Sequence, residues 1–172
     1  IMPMIEAAFD KLNMNIDQFD SIVVSKGPGS FTGIRIGAAI GKGLAFGSNR
    51  KTFAVSSLLA LSYNLVDFEG KIICPVVDAR RDRVYNALFR VENGKLVRLC
   101  EDRVIENVEL KDQLQTKEDI LFIGDSPDFV EEISFSTAIG LGFAYLDNIH
   151  ALSEGIEINY INVSQAERML KK

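Results

Sequence analysis

The stretch Ser25-Lys26-Gly27-Pro28-Gly29-Ser30-Phe31-Thr32-Gly33 is the part of the chain best suited to ligand chemistry. A glycine-rich loop between an apolar strand and a helix presents unpaired N–H groups and a partial positive charge, which suits phosphate. Its spacing meets neither common phosphate template. No register reads Gly, four residues, then Gly-Lys-Ser/Thr, and the third glycine of a dinucleotide fingerprint is Thr32 here. A tight turn feeding a capped helix accounts for the same residues. Gly27, Gly29, Ser30 and Thr32 therefore stand as a candidate nucleotide-adjacent loop. Metal and hydrolytic chemistry have less to work with, since the chain holds 1 His and 2 Cys. His150 has neither a second His nor a Cys cluster to complete a metal set, nor a Ser or Cys partner that the sequence singles out. No catalytic and no metal-binding residue is assigned.

The helix that follows the loop carries Gly33, Gly37, Gly41 and Ala45 at intervals of four, so they share one face. Each helical glycine costs roughly 1 kcal/mol relative to alanine. Three on one stripe imply a compensating close approach, either internal packing or a docked partner. Arg35 and Lys42 exclude the membrane form of this pattern. Further upstream, Met4, Ile5, Ala8, Phe9 and Leu12 repeat at helical spacing from the very start of the chain, so a preceding segment is expected. Met2, Ile5 and Phe9, with Phe31, Gly33, Ile34, Gly37 and Gly41, form the expected partner interface.

The elements that position these residues follow from periodicity. The first third reads α-β-α-β-α: a helix over about 3–12, a strand at 21–25, a helix from about Ser30 to Phe46, a strand at 53–55, and a helix capped by Ser56 or Ser57 through about Leu65. This implies a parallel sheet in a layered α/β lobe. Lys71 to Val77, Arg83 to Val91 and Lys95 to Leu99 then read as an antiparallel meander, with Asn93-Gly94 as its hairpin. A helix over 108–114, a strand at 120–123, a helix opened by Ser126-Pro127 to about Ile133, a helix in the second half of 136–152 and a helical tail over 163–172 complete the expectation. Two lobes follow, residues 1–65 with about 156–172, and residues 66–155.

Apolar residues make up 47% and charged residues 25% of 172, a globular composition. The net charge of −5 argues against nucleic-acid binding by the whole surface. One local exception is the span 80–103, with seven basic residues against four acidic ones, which reads first as a solvated sheet face and second as a tRNA contact. Cys74 and Cys100 read as free thiols. No signal peptide is visible, and the uncharged stretches 52–66 and 133–146 are too short to span a membrane, so a cytoplasmic protein is expected.

The block Val24 to Gly37, followed by Lys42-Gly43-Leu44-Ala45-Phe46, resembles the hallmark of the TsaB/YeaZ family of the glycoprotease-like superfamily. Val77-Asp78-Ala79-Arg80-Arg81-Asp82-Arg83-Val84-Tyr85 resembles that family's Asp-Ala-Arg-x-x-Glu-Val-Tyr stretch. Asn159-Tyr160-Ile161-Asn162 with Ala166-Glu167 resembles its Tyr-Leu-Arg segment. Arg83 and Asn162 depart from the usual Glu and Arg. The resemblance implies a two-lobed actin/sugar-kinase/Hsp70-like (ASKHA) fold whose first lobe lacks its opening strands and phosphate loop. It also implies a non-catalytic scaffold subunit of the machinery that makes threonylcarbamoyladenosine next to the tRNA anticodon. Such a subunit pairs with the catalytic paralogue TsaD and the ATPase TsaE, forms a homodimer when alone, and meets tRNA only through the complex. No cofactor is expected to bind tightly, with ATP or ADP a candidate at a site shared with partners. The paralogue's two metal-binding histidines correspond here to Ser57 and Leu61, and a leucine cannot ligate a metal. An independent nucleotide-binding or metallopeptidase-like enzyme is the alternative.

Overall fold

The structure is a computed structural model that describes residues 1–115 and 119–161. The expected helix over 163–172, and Asn162, Ala166 and Glu167, lie outside the described residues. Helix α1 (Met2–Leu12) starts with Pro3 in its first turn and ends at Asn13, which takes the left-handed conformation (φ 51°). Strand β1 (Ser21–Ser25) centres on Ile22-Val23-Val24, a β-branched run. Helix α2 (Phe31–Ser48) is capped by Ser30, whose Oγ accepts the Gly33 N–H at 3.3 Å, and it stops at Asn49 (φ 54°). Strand β2 (Lys51–Val55) pairs in parallel with β1, Val23 opposite Phe53.

Helix α3 (Ser57–Ser62) and a 3-10 turn over Tyr63–Leu65 lead to a second sheet. Its strands β3 (Ile72–Asp78), β4 (Arg83–Glu92), β5 (Lys95–Glu106) and β6 (Ile120–Gly124) lie in the order β5-β4-β3-β6. The β3-β4-β5 part is the expected antiparallel meander, and β6 joins β3 in parallel. Asn93 (φ 55°) and Gly94 (φ 69°) turn the β4-β5 hairpin, and the Glu69 carboxylate accepts both of their N–H groups. Helix α4 (Asn107–Leu114) covers one face of this sheet, and α3 with α5 (Ala138–Asn148) covers the other. Gly140 permits the α3–α5 crossing, because a Cβ there would stand 2.3 Å from the Ala60 carbonyl oxygen.

Two expectations are corrected. Residues 126–133 form one turn instead of a helix. Phe129 and Val130 N–H both reach the Ser126 carbonyl, but the Ser134 N–H is drawn back to the Gly124 carbonyl at 2.7 Å. Asp128 is meanwhile held by Asn107, and Phe129 by Phe122, so side-chain packing overrides the local Ser-Pro signal. Strand β5 is also longer than expected, running on through Glu101-Asp102-Arg103 to Glu106. Its charged residues hide strand periodicity because part of this charge is consumed by internal bonds.

Two buried clusters hold the second sheet. Val55, Leu58, Leu61, Ile73, Phe89 and Val91 fill one side, and Cys74, Val76, Val84, Ile105, Leu110 and Leu114 the other. Burying each large aliphatic or aromatic side chain contributes about 1.5–3 kcal/mol. The β1–β2 layer has a smaller cluster, Ala38, Ala54 and Ile156.

Candidate functional site

The glycine loop folds tightly against its own chain. The Lys26 N–H donates to the Val55 carbonyl (2.8 Å), the Ser57 N–H to the Gly27 carbonyl (2.9 Å), and the Asn159 N–H to the Lys26 carbonyl (2.9 Å). Gly27 (φ 93°) is buried, and a Cβ on it would meet Ile34 Cδ1 at 2.9 Å and the Asn159 oxygen at 3.3 Å. Gly27 therefore serves chain packing, Ser30 serves the helix cap, Gly29 is half-buried and Thr32 is exposed.

The two positions that the resemblance links to metal-binding histidines are both occupied by other roles. Ser57 Oγ lies 2.5 Å from Ser25 Oγ, and Leu61 is 2% exposed inside the main core. His150 is exposed in a 3-10 turn after α5. Among the described residues, no group of three His, Cys, Asp or Glu side chains could hold a metal ion.

A polar network that no spacing advertises lies beside the loop. Ser56 Oγ donates to Asp102 Oδ2 at 2.6 Å, and Arg98 Nη1 donates to Asp102 Oδ1 at 2.7 Å and to the Cys100 carbonyl at 3.2 Å. The Asp102 side chain is 6% exposed, and the Arg98 guanidinium sits 4.6 Å over the Phe89 ring. These residues border a cavity of about 210 Å³, which adjoins another of about 440 Å³ lined by Glu154, Glu157 and Asn159. Lys26 lies in the wall of both. An Arg98–Asp102 ion pair with the Ser56 hydroxyl, joining the N-terminal cap of α3 to the middle of β5, ties the two sheets together. Nearby, burial and then the Asp147 carboxylate, which accepts from Tyr63 Oη at 2.8 Å, push the Tyr63 phenol above its ordinary value.

The expected interface residues occupy the outer helices. Helix α1 buries none of its residues. Met2 and Met4 are exposed, while Ile5 and Phe9 are half-buried, Phe9 stacking on Phe19 at 5.5 Å. On α2 the glycine stripe divides. Gly41 is pressed on β1, where a Cβ would stand 2.5 Å from Val24 Cγ1, whereas Gly37 has open space and Gly33 is exposed. Internal packing thus explains Gly41, Gly33 meets only the side chain of its own cap Ser30, and Gly37 is left without a neighbour. Phe31 joins a set that the sequence did not bring together: Arg35 lies 3.8 Å over its ring, Tyr160 packs at 5.2 Å, and Arg35 Nε donates to Tyr160 Oη at 3.0 Å. Ile34 packs inward on Gly27. Ile36 and Phe46 add exposed apolar surface to α2.

A family model described as "TsaD: tRNA N6-adenosine threonylcarbamoyltransferase" matches residues 1–168. The chain is 39% identical over 127 residues to the "tRNA threonylcarbamoyladenosine biosynthesis protein TsaB" of Bacillus subtilis, an alignment covering 72% of this chain and 54% of that protein. It is 35% identical over 86 residues to the protein of the same name from Haemophilus influenzae, covering 49% and 36%. The chain thus spans about half the length, or less, of these curated relatives. Two solved structures share its fold. "Crystal structure of an uncharacterized protein with similarity to peptidase YEAZ from Pseudomonas aeruginosa" aligns with TM-score 0.79 at 22% identity, covering 94% of this chain and 82% of that one. "YeaZ from Pseudomonas aeruginosa" aligns with TM-score 0.73 at 22% identity, covering 87% and 76%. The α/β fold expected from the sequence is therefore the fold observed.

Proposed function

The chain belongs to the TsaB/YeaZ proteins within the TsaD-type threonylcarbamoyltransferase family, and on that premise we propose that it is a non-catalytic scaffold subunit of tRNA threonylcarbamoyladenosine synthesis. The observation that carries this reading is the chemistry at Ser57 and Leu61. One is a hydroxyl committed to Ser25 and the other a core leucine, so the positions that would hold a catalytic metal do structural work. Among the described residues, no helix is long and apolar enough to cross a membrane. What remains for function is surface. Helix α1 has no fully buried residue, and α2 presents Gly33, Gly37 and Ile36 outward. Two such helices suit docking against a second helical pair, with TsaD as partner, TsaE joining the assembly, and a homodimer through the same face in their absence.

No nucleotide is proposed to bind tightly to the isolated loop. Gly27 is spent on packing and Ser30 on a cap, and ATP or ADP is proposed to bind only where partner residues complete a site. The test is the mass by light scattering of the chain alone and mixed with a TsaD protein from one organism. A 1:1 complex that replaces any homodimer is expected. Persistence of two separate species would refute the scaffold role.

A further inference from the structure

The basic span 80–103 is not one feature. Arg98 is bound to Asp102, Lys95 Nζ lies 3.3 Å from Asp147, and Arg90 Nη1 lies 4.0 Å from Glu92. Arg103 is spent internally on Asn86 Oδ1 (3.2 Å) and Gln113 Oε1 (2.9 Å). Among the described residues, Arg80, Arg81 and Arg83 alone of the seven form neither an ion pair nor a side-chain hydrogen bond. All three sit at the β3–β4 turn.

The backbone of this turn is unusual. Arg80, Arg81 and Asp82 are consecutive non-glycine residues in the left-handed region, with φ of 62°, 57° and 56°. Arginine rarely adopts that conformation, and a run of three needs external support. The support is visible. The Arg80 N–H donates to Asp78 Oδ1 and the Asp78 N–H to Asp125 Oδ1, both at 2.7 Å, while the Asn107 N–H donates to the Asp82 carbonyl at 2.8 Å. Ala79 is buried beneath, its N–H bonded to the Arg83 carbonyl at 2.9 Å. Asp78 and Asp125 each give one carboxylate oxygen to backbone. Asp82 is the acid within the turn, and Glu106 stands opposite Arg83 in the β4–β5 register. The fold thus fixes in advance a turn that presents two exposed arginines and a third, half-buried one, on a protein of net charge −5.

Guanidinium is the side-chain group that best fits phosphate oxygens, and a rigid turn spares the ordering cost of binding. We propose that Arg80, Arg81 and Arg83 contact the phosphodiester backbone of the tRNA whose adenosine is modified. This rests on the scaffold reading, and it adds an RNA contact on the four-stranded sheet, away from helices α1 and α2.

The test is titration of an unmodified tRNA transcript with the full chain, between about 50 and 200 mM salt. R80G/R81G removes both guanidiniums while glycine accepts the left-handed backbone. It is expected to weaken binding about tenfold and to flatten the salt dependence by about two contacts, with melting temperature unchanged or higher. R80K/R81K, which keeps the charge, should bind within about threefold of the native chain, and R90G should match it. No binding of the native chain at low salt, or equal binding by R80G/R81G, overturns the proposal. Weaker binding with an unchanged salt slope also overturns it, because the loss would not be electrostatic. The mass measurement with TsaD separates the two readings. R80G/R81G should still form the complex, whereas a native chain that binds tRNA but forms no complex would sink the scaffold role alone.

Discussion

The two sheets differ in how far they are finished. In the four-stranded sheet, Ile73, Cys74, Val76, Val84, Phe89 and Val91 have no exposure at all, and helices close both faces. In the two-stranded sheet every residue of β1 is only half-buried, α1 contributes nothing to a core, and Phe46 of α2 is 94% exposed. Hydrophobic burial drives folding in both regions in proportion to apolar area removed from water. The two-stranded region has left much of that area outside, which is what an interface needs and a self-sufficient core does not. The same contrast separates the two glycine roles on α2, Gly41 packed on Val24 and Gly37 facing open space.

Phe89→Ala in β4 should produce the largest effect, a loss of about 3–5 kcal/mol in urea unfolding, because it empties a fully closed core. Phe9→Ala in α1 should cost less than about 1 kcal/mol by the same measurement. Equal losses would erase the contrast.

Asp102→Ala should come next, at about 2 kcal/mol. It leaves the Arg98 guanidinium without its carboxylate and the Ser56 hydroxyl without its acceptor, both in a nearly closed setting. Thermal melting would register the loss, and Asp102→Asn should recover part of it by keeping one acceptor oxygen. A melting temperature untouched by Asp102→Ala would mean that the Ser56–Asp102–Arg98 tie contributes nothing to joining the sheets.

The smallest and sharpest pair is on α2. Gly41→Ala should destabilise by about 1 kcal/mol because Val24 must move, while Gly37→Ala should stabilise by about 0.5–1 kcal/mol through helix propensity. Opposite signs in the two melting curves would confirm that one stripe serves two purposes. The bulkier Gly37→Leu should leave circular dichroism intact and abolish binding to TsaD.

Much of this architecture was legible in the sequence. Ser30 as a cap, Ile22-Val23-Val24 as a strand and Asn93-Gly94 as a hairpin are short-range signals, and each is found where it was expected. The helix from Ser126 was not so decided, since Asp128 and Phe129 take partners from α4 and β6, contacts that no local pattern encodes. The second half of β5 was hidden for the same reason. The candidate loop was visible as glycines, but its commitment to packing depends on Asn159, far along the chain. Ser56 and Asp102 likewise meet across 46 positions. Arg80, Arg81 and Arg83 were visible as charge, whereas their separation from the neutralised Arg90, Lys95 and Arg98 needed the fold.

The most direct test of the account is hydrogen exchange of the chain alone and in the presence of TsaD. The account predicts new protection in α1 and in the exposed side of α2 around Gly33 to Gly37, with β3, β4 and β5 unchanged. Protection confined to the four-stranded sheet, with α1 exchanging as freely as before, would contradict it.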